Sequence, residues 1–169
     1  ATFFALTQQA EKFPALMARE KSEGHSIVSH SYTHEKIPNL SEADRKYEIE
    51  DAVAKLESIL GLGEKIRFFR LPYGAGVSVK SVRERLAKNN LIHVFWNVDT
   101  LDWQDKNNDT MFEGVFTQMK TLKRGVILFH DIHPQSVIAS KMVLAYILDP
   151  ANKLRHVTIP EIVDEQNAA

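Results

Sequence analysis

Short apolar runs alternate with amphipathic stretches along this chain, and that alternation limits the fold more than any other feature. The spacing predicts strands at Ala1–Leu6, Ser26–Ser29, Ile66–Phe69, Leu91–Val98, Gly125–Phe129 and His156–Ile159. Between them lie helical patterns. One opens at Pro14 and stops at Gly24. A long one is capped by Ser41, with Asp44 in the capping-box position, and ends at Gly61; Ala43, Tyr47, Val53, Leu56 and Leu60 mark its inward stripe. A third runs from about Ser78 to Lys88, with Val79, Val82 and Leu86 inward. A fourth opens at Asp109 or Thr110 and reaches Leu122, and a fifth spans roughly Gln135 to Leu148. Pro160-Glu161 reads as a terminal turn. Strands alternating with helices predict a parallel sheet. Continuous apolar strands such as Val126-Ile127-Leu128-Phe129 predict burial on both faces. The fold class is therefore α/β, and a parallel barrel fits it.

Composition removes several function classes. A net charge of −1 gives no attraction to nucleic acid or anionic membranes. The absence of cysteine excludes disulfides, thiolate metal sites and cysteine nucleophiles. No apolar run approaches membrane-spanning length. Ala1–Thr7 is too short for a signal core and lacks a basic lead-in. No internal repeat, low-complexity tract or linker interrupts the 169 residues, which read as a single domain.

Polar clusters follow the C-terminal ends of the expected strands. His30 and His34 stand four residues apart after Ser26–Ser29. Two neutral imidazoles at one point suit zinc, although seven histidines make such a spacing easy to reach by chance. Arg70 and Tyr73 follow the third strand, Asp99 and Asp102 the fourth, His130 and Asp131 the fifth. Taken singly, each has a bland reading: a surface ion pair, a turn, a helix cap, a core histidine. As a set on the rim of an α/β barrel, where such folds carry their chemistry, they read as a functional site.

In order, His30-Ser31-Tyr32-Thr33-His34, Arg70-Leu71-Pro72-Tyr73-Gly74, Asp99-Thr100-Leu101-Asp102-Trp103 and Leu128-Phe129-His130-Asp131 resemble four of the five motifs of the polysaccharide deacetylases. This is the NodB-homology group, carbohydrate esterase family 4. Ala1-Thr2-Phe3-Phe4 resembles the family's second strand and Gly24-His25 its approach to the histidine motif, so the likeness runs to about Pro134. The resemblance implies a distorted (β/α) barrel and a divalent metal, most often zinc. It implies hydrolysis of N-acetyl groups on amino-sugar polysaccharide, peptidoglycan above all, in a secreted or periplasmic setting. Chitin oligomers and acetyl-xylan are alternative substrates. His30 and His34 would be metal ligands. Arg70 would orient the base, and the backbone N–H of Tyr73 would serve the oxyanion and contact substrate. His130 would be the general acid, tuned by Asp102. Trp103 and Leu128 would line the acetyl pocket. His133 and Asp131 receive no role.

One departure is large. The family's first motif, a strand ending in Asp-Asp, has no counterpart, and no Asp-Asp pair occurs in the chain. That motif would bring the base and a third metal ligand. The domain is therefore expected to lack its first strand in this chain, either as part of a longer polypeptide, the favoured reading, or as a deacetylase fold that has lost that strand, and to be a poor catalyst by itself. Two rivals stand beside the enzyme: a non-catalytic carbohydrate-binding relative, and a structural domain whose histidines are merely satisfied in place.

Overall fold

A computed structural model describes residues 1–61, 63, 65–122 and 124–167. They gather into two compact units: Ala1–Val94 with the segment from Val157 onward, and Phe95–His156.

The first unit is built on a four-stranded parallel sheet in the order β1-β2-β3-β4, comprising Thr2–Ala5, Ser26–Ser29, Phe68–Phe69 and Ile92–His93. Consecutive strands are neighbours, as helical crossovers between parallel strands favour. Helix α1 (Thr7–Lys12) fills a stretch that carried no helix signal, and α2 (Pro14–Ser22) follows with Pro14 at its first turn. Gly24 leaves the helix at φ +81°, which a glycine adopts without strain.

The long helix after Ser41 is not one α-helix. It is α3 (Glu42–Lys46), a single π-helical turn (Tyr47–Asp51) and α4 (Ala52–Leu60). The Ser41 hydroxyl accepts the Asp44 N–H at 3.2 Å, as its position in the sequence predicts. Ala43 and Tyr47 are exposed, while Glu48, Ile49, Ala52 and Leu56 are buried. Helix α5 (Lys80–Lys88) turns Val82 and Leu86 inward, and Val79 stays outside as its N-cap. The core joins Ala10, Met17, Ile37, Ile49, Leu56 and Phe69 with neighbours from α5.

The second unit is smaller. Strands β5 (Val98–Asp99) and β6 (Ile127–Leu128) pair in parallel, with α6 (Asn108–Thr121) and α7 (Pro134–Leu148). Val98, Val115 and Val143 centre its core. The side chain of Asn107, just before the expected helix start, accepts the N–H groups of Asp109 and Thr110.

Three sequence expectations fail here for physical reasons. Leu91–Val98 is not one strand. Val94 N–H bonds to Phe69 in the first sheet, whereas Asn97 and Val98 bond to Val126 in the second, so a single apolar run serves two sheets. His156–Ile159 is not a strand. Thr158 and Glu161 form a capping box, with the Glu161 carboxylate accepting the Thr158 backbone N–H at 2.5 Å and the Thr158 hydroxyl accepting the Glu161 N–H at 3.5 Å, and α8 (Ile159–Asn167) follows in place of a turn. Finally, burial on both faces holds for β3, but β1 and the Val126–Phe129 run are mostly half-buried. In the described sheet β1 lies at an edge, and β6 has one strand neighbour.

Candidate active-site residues

In the first unit, β2 delivers His30 to the end of the sheet, where its N–H bonds to Ala5. Its Nδ1 lies 2.7 Å from the Arg70 carbonyl. A carbonyl oxygen only accepts, so Nδ1 carries the proton and Nε2 is the lone-pair nitrogen. A metal-ligating imidazole needs that arrangement. The His34 ring stands at 4.8 Å from the His30 ring, nearly perpendicular to it. The turn between them is tight: Ser31 and His34 take φ of +73° and +74°, and the His34 N–H donates to Ser31 Oγ. These donors fit a borderline divalent cation as two of its ligands. Among the described residues, no third His, Asp or Glu joins them in a metal-sized cluster.

Arg70 ends β3 and is buried, with its guanidinium 3.8 Å from the centre of the Phe4 ring. Burial pulls its pKa down to about 10, which leaves it charged at neutral pH. On β4, His93 is held below the usual histidine range, by burial first and by the Arg70 charge second, so it is neutral. Tyr73 sits in a 3-10 turn behind Pro72, at φ +58°, with an exposed side chain packed edge-on to His34. Six non-glycine residues of the described chain have positive φ, and four of them (Ser31, His34, Tyr73, Leu101) lie inside the four motifs. Backbone strain of this kind persists where the surroundings over-determine it, commonly at functional sites.

The second unit holds the Asp102–His130 couple. Asp102 is fully buried. Its Oδ1 accepts His130 Nδ1–H at 2.7 Å, and its Oδ2 accepts the His130 backbone N–H at 2.6 Å and the Ser136 hydroxyl at 2.5 Å. Burial pushes the Asp102 pKa upward, but the bonds from His130 and Ser136 outweigh it and hold the value at about 2. With Nδ1–H committed to Asp102, Nε2 is the nitrogen of His130 that can exchange a proton. Gln135 fixes the same loop by donating to the Asp102 carbonyl at 2.9 Å. Ser136 and Gln135 carried no motif signal; they lie in the first turn of α7, which the sequence placed from about Gln135. Leu128 is buried on β6, and Trp103 is 58% exposed. Asp99, grouped with Asp102 in the sequence, has a different job: its carboxylate accepts Trp96 Nε1–H and the Leu101 N–H, which shapes the turn. Asp131 is exposed and His133 N-caps α7.

Residues 1–93 match the family model for polysaccharide deacetylases. The chain belongs to the polysaccharide deacetylase family. It is 37% identical over 133 residues to a peptidoglycan-N-acetylglucosamine deacetylase of Bacillus cereus, covering 78% of this chain and 46% of that protein. It is 29% identical over 170 residues to the peptidoglycan-N-acetylmuramic acid deacetylase PdaC of Bacillus subtilis, covering 100% of this chain and 34% of that one. The solved PdaC structure matches with a TM-score of 0.83 at 28% identity, over 100% of this chain and 79% of that chain. In fold alone, a carbohydrate esterase family 4 pseudoenzyme from Bacillus anthracis also matches, at 20% identity and a TM-score of 0.75, over 86% of this chain and 50% of that one. The fold is therefore the NodB-type distorted α/β barrel. The chain spans between a third and about half the length of these curated relatives. The Asp102 and His130 motifs lie beyond the residues that the family model matches, but within the PdaC alignment.

Proposed function

We propose that the protein is a metal-dependent hydrolase that removes N-acetyl groups from amino-sugar polysaccharide, with peptidoglycan as substrate, outside the cytoplasmic membrane. The observation that carries this reading is the Asp102–His130 couple. A buried carboxylate spends both oxygens on one imidazole loop and leaves the other ring nitrogen for proton transfer. Deacetylation must protonate an amine as it leaves, and a histidine oriented in this way supplies that proton through Nε2. The names of the relatives support the choice of substrate.

Zinc is the cofactor of this reading, held by His30 and His34 with ligands from outside the described pair. Once bound, it would polarise the acetyl carbonyl and acidify a water molecule. Arg70 keeps its charge and would orient the base that the Asp-Asp motif brings. Tyr73, at positive φ, would offer its backbone N–H to the oxyanion from a turn closed by the Gly74 and Ala75 N–H groups on the Leu71 and Pro72 carbonyls. Trp103 and Leu128 form the acetyl-side wall. The 169 residues contain no Asp-Asp pair to act as base and third ligand, so by themselves they are expected to release acetate slowly.

The test compares acetate release from N-acetylglucosamine oligomers and from peptidoglycan at equal zinc loading. One polypeptide is the 169 residues; the other carries an Asp-Asp strand ahead of Ala1. The longer one should be faster by about 10²–10⁴-fold, the worth of a general base. His130→Ala should cost it a similar factor. Equal rates from the two polypeptides would mean that the base lies within these residues, with Asp131 the first to replace. Binding of peptidoglycan without acetate release by the longer, zinc-loaded protein would identify a non-catalytic relative.

A further inference from the structure

The geometry points to Glu48 as the positioning residue of the histidine turn: its buried carboxylate sets the spacing of His30 and His34 for a divalent cation. The inference rests on the metal-binding reading above.

Glu48 is 3% exposed, unusual for a carboxylate with no cation among its bonded partners here. Its Oε2 accepts the backbone N–H groups of Tyr32 and Thr33, each at 3.0 Å, and its Oε1 accepts the Thr33 hydroxyl. All three donors lie between the two histidines. The other side of the turn is held as firmly. The first N–H groups of α1, on Thr7 and Gln8, donate to the carbonyls of Ser31 and Tyr32 at 3.1 Å. Donors and acceptors of the peptide units from Ser31 to Thr33 are thus fixed from two directions, and two residues in the turn keep positive φ. Without that clamp, a five-residue turn with such φ values relaxes into other conformers, and the imidazoles part.

Glu48 lies in the π turn Tyr47–Asp51, on the same buried stripe as Ala52 and Leu56, while Tyr47 beside it is 44% exposed. Single π turns inside α-helices commonly mark functional positions. Groups that orient metal ligands contribute about 10–100-fold to metal affinity.

The test uses Glu48→Ala, Glu48→Gln and, as a control, Glu50→Ala in the full-length protein. Glu50 lies in the same π turn but pairs with Arg85 at 2.9 Å, away from the histidine turn. Zinc affinity is measured by chelator competition, and the His30–His34 ring geometry by NMR in metal-free protein. Glu48→Ala should weaken zinc binding about 10–100-fold and lose the inter-ring contacts. Glu48→Gln, which keeps the shape and two acceptor bonds, should fall between it and wild type. Glu50→Ala should lower the melting temperature while leaving affinity and ring contacts unchanged. If Glu48→Ala does not fold, Glu48→Gln decides. Wild-type affinity and ring contacts in the folded Glu48 variants overturn the proposal, as does an equal loss in Glu50→Ala. A wild-type protein that takes up no zinc refutes the metal reading alone; the ring contacts in metal-free protein then decide the role of Glu48.

Discussion

Asp102 is the residue whose environment makes the sharpest demand. Its pKa falls from the ordinary value of 3.8 to about 2 on folding. Between those values the unfolded chain binds more protons than the folded one, so stability rises with pH there. The contribution is fully present above pH 3.8 and is lost as pH falls toward 2. It amounts to about 2 kcal/mol. Denaturant titrations from pH 2 to 6 should show this slope in wild type and a flatter one in Asp102→Asn; parallel curves would show that the charge of Asp102 does not stabilise the fold. Ser136→Ala removes one of the donors to the same carboxylate. It should cost about 1–3 kcal/mol, because a buried oxygen loses a partner. At the other cluster, His30→Ala should abolish stoichiometric zinc uptake. Equal zinc content in variant and wild type would remove His30 from the ligand set.

At the scale of elements, the inward face of the long helix separates two readings of one sequence. The expected stripe makes Tyr47 a core residue, whereas in the structure Ile49 is fully buried and Tyr47 stacks on Tyr32 at the surface, 4.4 Å between ring centres. Ile49→Ala should therefore destabilise by about 2–5 kcal/mol, the range for a buried large-to-small change. Tyr47→Ala should cost about 1 kcal/mol or less, as surface stacking pairs do. Urea midpoints of the two variants check this, and a reversed order would return Tyr47 to the core in place of Ile49. The helix starts were easier to read. Ser41 with Asp44 was legible beforehand. Thr158 with Glu161 is the same kind of signal in a place where a run of β-branched residues suggested a strand. The capping bonds won, and His156–Ile159 joins neither of the described sheets.

At the scale of the whole molecule, metal and fold should be linked. A cation that binds only the folded state stabilises it by about 2.7 kcal/mol at a concentration one hundred times its dissociation constant. Adding zinc should raise the melting temperature of wild type, and a chelator should reverse the gain. His34→Ala should respond to neither. An equal response in that variant would place the metal elsewhere.

Legible in the sequence were the parallel α/β class, most of the strands and helices, the placing of His30, Arg70, Asp102 and His130 just beyond strand ends, and the family. These depend on local periodicity, on turn chemistry and on motifs written in contiguous residues. Tertiary structure alone decided how Leu91–Val98 divides between two sheets, since an apolar run carries no mark of which neighbour its N–H groups will find. It alone decided that Glu48, Gln135 and Ser136 brace the motif residues. Glu48 is 14 residues beyond His34, and Ser136 is 34 beyond Asp102. No local pattern couples side chains across such distances. Glu48 and Ser136 are buried, and only the assembled core fixes which partners they meet there.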